Sequence, residues 1–352
     1  MPSASPPLVS VVMPVYNAAS FVEAAVASML NQTFTDFELL LFNDGSTDDS
    51  AARIRRFADP RIQLFDSARN VGYVTHLNHG LAVARGRYIA RMDSDDLAEP
   101  TRLARQVAFM EAHPEVGLCG TAYREFGSRQ GLVPVPITDP EIRQWLLAGS
   151  PFGHPTVLLR RAVLDRHGLR YDPAAMPAED YRLWYELSRV TQLANLPEPL
   201  LAYRVHATQT SQMLAARRQA SANETRRRQL LDRGFVLTDD QWAQYFAVLD
   251  RTTRPRTAAD LRALLATMWR IHRQNARLGA YPPAWFEGLF AAAWHDAVVA
   301  IGRHGWAYVQ PVLLAAKPFA DPLGPAGRLK FLVKCVVAWR VAGAPSLPPP
   351  VA

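Results

Sequence analysis

Asp93-Ser94-Asp95-Asp96 places three carboxylates within four consecutive residues, and such crowding of negative charge calls for solvent or a cation. If the chain stays extended through Asp93-Ser94-Asp95, the first two acids point the same way. Hard divalent ions such as Mg2+ or Mn2+ accept carboxylate oxygens and leave positions open for diphosphate oxygens, so one reading is a metal-nucleotide site. The other is a solvated acidic turn followed by a helix with Pro100 in its first turn. An isolated D-x-D does not separate the two. A second acidic turn, Asn43-Asp44-Gly45-Ser46-Thr47-Asp48-Asp49, and an acidic pair, Glu179-Asp180, lie elsewhere in the chain. Taken alone, the pair reads as an acidic first turn that suits a helix dipole.

The hydrophobic pattern supplies the elements that would position these acids. Residues 8–12 form a β-branched run that ends near Met13-Pro14, because proline is excluded from central sheet pairing. Ser20-Phe21-Val22-Glu23 fits a capping box for a helix over 21–30, closed by Asn31 and Thr33. Residues 37–42, FELLLF, are a near-continuous apolar run, the signature of a strand covered on both faces. Residues 61–65 read as a short strand, Asn70 and Gly72 mark a loop, and 74–84 read as a helix. Residues 87–92 read as a strand with Tyr88, Ala90 and Met92 on one face. This βαβαβαβ order predicts an α/β fold, a mostly parallel sheet flanked by helices, with ligands beyond the carboxyl ends of the strands. Asp44 and the Asp93/Asp95 pair both fall at such ends and are expected to be neighbours.

The 352 residues, 49% hydrophobic and 20% charged, can bury a full core. Cys119 and Cys335 have no metal-ligand spacing and read as free thiols in a reducing compartment. No stretch reaches the ~18 apolar residues a bilayer span requires, and the N-terminus lacks the pattern of a signal peptide, so a cytoplasmic location is expected. A net charge of +7 suits an anionic partner. No recognition motif supports nucleic acid, and no G-x-G-x-x-G points to hydride transfer.

Taken together, Pro14-Val15-Tyr16-Asn17, Asn43-Asp44-Gly45-Ser46-Thr47-Asp48, Asn70-Val71-Gly72 with Asn78 and Gly80, Gly86-Arg87-Tyr88-Ile89 and Asp93-Ser94-Asp95-Asp96 resemble the family 2 glycosyltransferases of the GT-A fold. The likeness continues through Gly153-His154-Pro155-Thr156, Ala178-Glu179-Asp180-Tyr181-Arg182-Leu183-Trp184 and Tyr203-Arg204-Val205-His206, and covers about residues 8–210. It implies a metal-dependent inverting transfer from a nucleotide-diphosphate donor, a UDP-sugar, to a saccharide or lipid-linked saccharide acceptor in surface polysaccharide synthesis. Asp44 then resembles the group that hydrogen-bonds the base, with Pro14 and Tyr16 walling the pocket and Asn17, Arg69 and Ser94 joining as nucleotide contacts. Asp93 resembles the acid that reaches the ribose or the metal. Asp95 resembles the direct Mn2+ or Mg2+ ligand, Asp180 matches the catalytic base, and His206 is similar to a histidine completing the metal or diphosphate site. Read by itself, His206, following a strand over 200–205, is a satisfied structural histidine before it is a ligand. Asn43 departs from relatives that carry an acid there, and the absence of Gln-x-x-Arg-Trp argues against a processive polymerase.

Two other functions fit parts of the pattern. A nucleotidyltransferase would need a Gly-rich, Arg/Lys-bearing loop that residues 8–20 lack. A catalytically silent nucleotide- or sugar-binding module of the same fold would have no use for base, metal acids and nucleotide acid together. The expected organisation is a catalytic domain over 1–210, a helical region over 211–344 and a disordered Pro-rich tail over 345–352. Residues 327–343 interleave Arg328, Lys330, Lys334 and Arg340 with apolar residues. They read either as an interfacial helix in peripheral contact with the inner face of the membrane or as a core helix of the appendage.

Overall fold

The structure is a computed structural model that describes residues 5–206, 214–250, 252 and 257–301. The expected interfacial or core helix at 327–343 and the Pro-rich tail at 345–352 lie outside the described residues. The chain divides into two units, Met1–Arg226 and Arg227–Ala352.

The first unit opens with β1 (Val9–Val15), α1 (Val22–Leu30), β2 (Phe37–Asn43), α2 (Ser50–Ile54), β3 (Ile62–Asp66), α3 (Tyr73–Val83) and β4 (Tyr88–Arg91). It continues with β5 (Leu97–Ala98), α4 (Arg102–Ala112), β6 (Val116–Gly127), β7 (Gly131–Val133) and α5 (Asp139–Leu146). β8 (Leu158–Arg160), α6 (Arg161–His167), α7 (Glu179–Ser188) and β9 (Gln192–Val205) follow. The strands form one sheet in the order β3-β2-β1-β4-β8-β6-β9-β5, with β7 paired to β6. Neighbours are parallel from β3 through β4, as the βαβ alternation predicts. Beyond β4 the sheet is mixed, because β8 runs antiparallel to both β4 and β6 while β9 is parallel to β6.

Every residue of β2 is buried, because helices cover both faces. Val11, Met13, Leu39 and Leu41 pack with α1 and α4 on one face, and Val12, Leu40 and Phe42 pack with α3, α5 and α7 on the other. Three local expectations are corrected. β1 continues through Pro14, paired with Phe42 of β2. Pairing to β4 ends at Val12, with Met92 N donating to Val12 O at 3.1 Å. By alternation Pro14 faces the β4 side, where no strand remains to need its missing N–H. The capping box at Ser20 does not form, for Phe21 is the N-cap residue and no side chain caps α1. Residues 94–95 form a turn rather than an extended run, so a turn gathers the acids.

The start of β4 is fixed by a buried polar network. Ser10 Oγ donates to Glu38 at 2.6 Å and accepts from Gly86 N at 2.8 Å, while Arg85 Nε and Nη2 grip Glu38 at 2.8 and 2.6 Å. Behind the other end of β4, the buried Arg102 donates to Arg91 O at 2.8 Å and to Gln106 at 3.1 Å. Gln106 in turn donates to Cys119 O and Thr156 O at 2.8 and 2.9 Å. This polar spine satisfies main-chain carbonyls that would otherwise be buried without partners.

A helix over Ala215–Leu231 follows; on the first unit, Ser221 donates to Met176 O at 3.1 Å and Arg226 Nε to Ala148 O at 3.0 Å. The second unit contains helices Asp239–Leu249, Ala258–Leu278 and Pro283–Ile301, the first two opened by capping boxes at Thr238 and Thr257. Phe235, Trp242, Tyr245, Phe286 and Phe290 are buried there. Among the described residues no helix is long and apolar enough to cross a membrane.

A Cβ on Gly86 would lie 2.5 Å from Ser10 N and 2.8 Å from Val9 C, both main-chain atoms that cannot swing away. Gly86→Ala should therefore destabilise the protein by about 1–3 kcal/mol, the usual cost of overpacking. Urea unfolding checks this, and an unchanged midpoint would contradict the close approach.

Candidate active site

The carboxyl ends of β1, β2 and β4 carry the loops that hold the predicted residues. Asp44, immediately after β2, is 2% exposed. Its Oδ1 accepts from Val71 N at 2.7 Å and lies 2.9 Å from His76 Nε2, and its Oδ2 accepts from Gly72 N at 3.0 Å. The carboxylate thus fixes the loop that opens α3, and Tyr16 and Val71, 50% and 42% exposed, present open apolar surface beside it. Asn43 donates to Asp66 at 2.9 Å, which explains locally why an amide rather than a second acid stands there. Asn17, at φ 47°, accepts from Thr47 N at 2.9 Å, and its own N–H donates to Ser46 Oγ at 3.0 Å. Asp48 accepts from Ala19 N at 3.0 Å, so the loops after β1 and β2 hold each other. Arg69 is exposed, and Pro14 and Ser94 are partly buried.

After β4 the acids converge. One carboxylate oxygen from each of Asp93, Asp95 and Asp96 falls within 4.8 Å of the others. Asp93 pairs with Arg91, whose side chain is 8% exposed. Asp95 Oδ2 lies 2.9 Å from His206 Nε2, and Arg204 Nε donates to Asp95 O at 2.7 Å. Asp96 Oδ1 accepts from Arg204 N at 2.7 Å, but its buried Oδ2 has no hydrogen-bond partner among the described residues. Burial and the Asp93 charge push Asp95 up from the usual carboxylate range, against the pull of His206. Burial, Asp93 and Asp95 push Asp96 further. Oxygen donors, one of them buried and unsatisfied, fit a hard divalent ion.

Glu179 and Asp180 form the first turn of α7. Tyr73, the first residue of α3, donates its hydroxyl to Glu179 at 2.9 Å, so the loop held by Asp44 is tied in turn to the acidic pair. Burial and the Asp180 charge push Glu179 up to about 7. Burial raises Asp180 as well, opposed by Tyr181 N, Arg91 and Arg218. Asp180 Oδ1 accepts from Tyr181 N at 2.6 Å. His154 lies 3.0 Å from the Tyr171 hydroxyl, and burial, with Arg91, pushes the imidazole well below its ordinary value.

The Arg91 charge acts on both acidic groups, on Asp93, Asp95 and Asp96 and on Glu179 and Asp180. The predicted acids at 93, 95 and 180 therefore share one neighbourhood, and Asp44 joins them through Val71, Gly72 and Tyr73. Sequence reasoning did not single out His76, Tyr73 or Arg102. The first two act on partners 32 and 106 residues away, beyond any local spacing. A charge inside the fully buried β4 was the available signal for Arg91.

Asp44 accepts from three donors, a task that an amide with one oxygen cannot do. Asp44→Asn is expected to cost about 1–3 kcal/mol of stability and to speed hydrogen exchange at the Val71 and Gly72 amides. Unchanged protection at those two amides would contradict the anchoring role.

The profile of the family described as Glycosyl transferase family 2 matches residues 10–168. An uncharacterized glycosyltransferase of Haemophilus influenzae is 32% identical over 238 residues, covering 63% of this chain and 72% of that protein. The Escherichia coli UDP-Glc:alpha-D-GlcNAc-diphosphoundecaprenol beta-1,3-glucosyltransferase WfaP is 30% identical over 208 residues, covering 58% of this chain and 80% of WfaP. Among solved structures, Staphylococcus aureus TarS 1–349 in complex with UDP-GlcNAc superposes with a TM-score of 0.56 at 17% identity, over 84% of this chain and 89% of that one. The Pyrobaculum calidifontis mannosyltransferase PcManGT, in complex with GDP-Man and Mn2+, gives 0.50 at 17% identity, over 94% and 86%. The mixed sheet with flanking helices is thus a GT-A fold, and the chain is a glycosyltransferase belonging to family 2.

Proposed function

We propose that this glycosyltransferase moves a sugar from a UDP-linked donor to a hydroxyl of a lipid-linked saccharide, with inversion at the anomeric carbon and Asp180 as the base. The observation that supports the reading is the convergence of the three carboxylates after β4, with the buried Arg91 paired to Asp93 and close enough to act on Glu179 and Asp180 as well. The donor and acceptor classes rest on the relatives: WfaP is by name specific for UDP-Glc and a diphosphoundecaprenol-linked GlcNAc, and TarS holds UDP-GlcNAc. The catalytic domain is taken as residues 1–210 and the helical region as 211–344.

In this reading the base of the nucleotide lies against Tyr16 and Pro14 beside the loop that Asp44 holds. Asn17, Arg69 and Ser94 line its path toward Asp93. Asp95, with His206, Asp93 and Asp96, would hold Mn2+ or Mg2+. The ion supplies positive charge to the leaving diphosphate. Asp180 removes the proton from the acceptor hydroxyl, whose oxygen then attacks the anomeric carbon on the face opposite the diphosphate. The bond to the diphosphate oxygen breaks, and that oxygen keeps the electron pair. Asp180 suits the task because Tyr181 N engages only one of its oxygens, whereas Glu179 is committed to Tyr73. Burial also makes the base stronger than a solvated carboxylate.

Asp180→Asn should lower kcat by ~100-fold or more, the scale of general-base catalysis, and leave UDP binding within about twofold. Turnover at the wild-type rate would remove Asp180 from the role.

The acidic pair also sets the pH profile. A base must be ionised, so transfer falls as pH drops through the raised value of Asp180, and the acid limb should lie above the ordinary carboxylate range. The Tyr73 hydroxyl donates to the ionised form of Glu179 and holds its value down. Tyr73→Phe should therefore keep Glu179 neutral to higher pH, weaken its repulsion of the Asp180 carboxylate and move the acid limb of kcat/KM to lower pH, and a limb that moves up would contradict Asp180 as the base.

A further inference from the structure

Arg91 is a charged side chain in a strand whose four residues are all buried, and its own side chain is only 8% exposed. Its direct partner is Asp93, yet its Nε has no hydrogen-bond partner among the described residues. Burial works against its charge, and Asp93, Tyr171 and Asp96 hold it protonated above the usual arginine range. A guanidinium has five donors in a rigid fork, so this cation is under-used, an arrangement that ordinarily costs stability unless some state of the protein uses it. Its place in the acidic cluster is also where a divalent ion would need the same carboxylates, and two cations repel at that range.

Resting on the metal reading above, we propose that Arg91 is the resident cation of the cluster: a positioning residue that neutralises Asp93 when no divalent ion is bound, yields Asp93 to the ion, and is then turned toward the Glu179–Asp180 end. The cluster so described needs no reorganisation of the strand, because Arg102 keeps Arg91 O in place from behind. Only the side chain moves. Displaced from Asp93, the guanidinium stays within electrostatic reach of Glu179 and Asp180, on which it acts in the ion-free protein as well. Metal occupancy and the readiness of the base are thereby coupled through one side chain, and a donor-loaded site is the one in which the base has its cation nearest.

The inference predicts an unusual pair of effects. Arg91→Met removes the competitor and leaves the acids more negative, so the variant should bind Mn2+ alone about tenfold tighter than wild type while transferring sugar more slowly. Arg91→Lys keeps the charge and loses the fork, so its Mn2+ affinity should stay within about twofold of wild type. Titration calorimetry with Mn2+ alone reads both, and circular dichroism checks folding. A residue that only supports the fold would weaken metal binding when removed. Folded Arg91→Met with unchanged or weaker Mn2+ affinity therefore overturns the proposal. If Arg91→Met does not fold, the Arg91 Nε–H NMR signal of the wild type, assigned through its loss in Arg91→Lys, should move on titration with Mg2+. A signal that stays in place overturns the proposal too. Wild-type protein that takes up neither ion would instead fail the metal reading, and this inference with it.

Discussion

Asp93, Asp95 and Asp96 leave the end of β4 while Glu179 and Asp180 approach from α7, and the mutual repulsion of these carboxylates is the constraint around which this edge of the molecule is built. Asp96 and Glu179 are buried and Asp93, Asp95 and Asp180 are partly buried, so the charges are screened less than at a surface. Three devices offset them: the buried Arg91, the contacts of Arg204 and His206 with Asp95 and Asp96, and upward shifts in the affinities of Asp95, Asp96, Glu179 and Asp180 for protons. A buried ion pair of this kind contributes little net stability, but removing one partner is strongly destabilising. The arrangement is therefore better understood as a site held ready than as a source of stability.

The ends of β1 and β2 obey the opposite rule. Asp44 has its charge met by main-chain amides and His76, and the loops after β1 and β2 exchange hydrogen bonds through Asn17, Ser46, Thr47 and Asp48. Polar groups here are almost fully paired, which gives a rigid cradle. Among the described residues, Asp96 Oδ2 and Arg91 Nε at the acidic end have no hydrogen-bond partner. The two ends thus differ in kind, one with its polar groups paired and the other with polar groups left over.

Much of this was legible in the residues. The βαβαβαβ pattern located β1 to β4, and the apolar run 37–42 announced a strand covered on both sides. The position of Asp44 and Asp93 at strand ends followed from that topology. Pro14 misled because the rule against proline in central strands concerns one missing N–H, and here that N–H would have faced the side where β4 had already ended. Ser20 misled because a capping signature is local, whereas the chain entering α1 is held by Asp48 and Ser50. The mixed half of the sheet and the ties from Tyr73 to Glu179 and from Arg204 to Asp96 join residues about a hundred positions apart, and neither periodicity nor spacing encodes such pairs.

β9 starts just after the helix that carries Asp180 and runs 14 residues to the doorstep of His206, paired to β6 for most of that length. Its last residue delivers His206 to Asp95, so only the far tip of the strand belongs to the acidic cluster. Register shifts against β6 absorb its two prolines in the middle, so the strand bends without leaving its partner. The loop that precedes Gln192 can therefore be exchanged while the tip that presents His206 keeps its place.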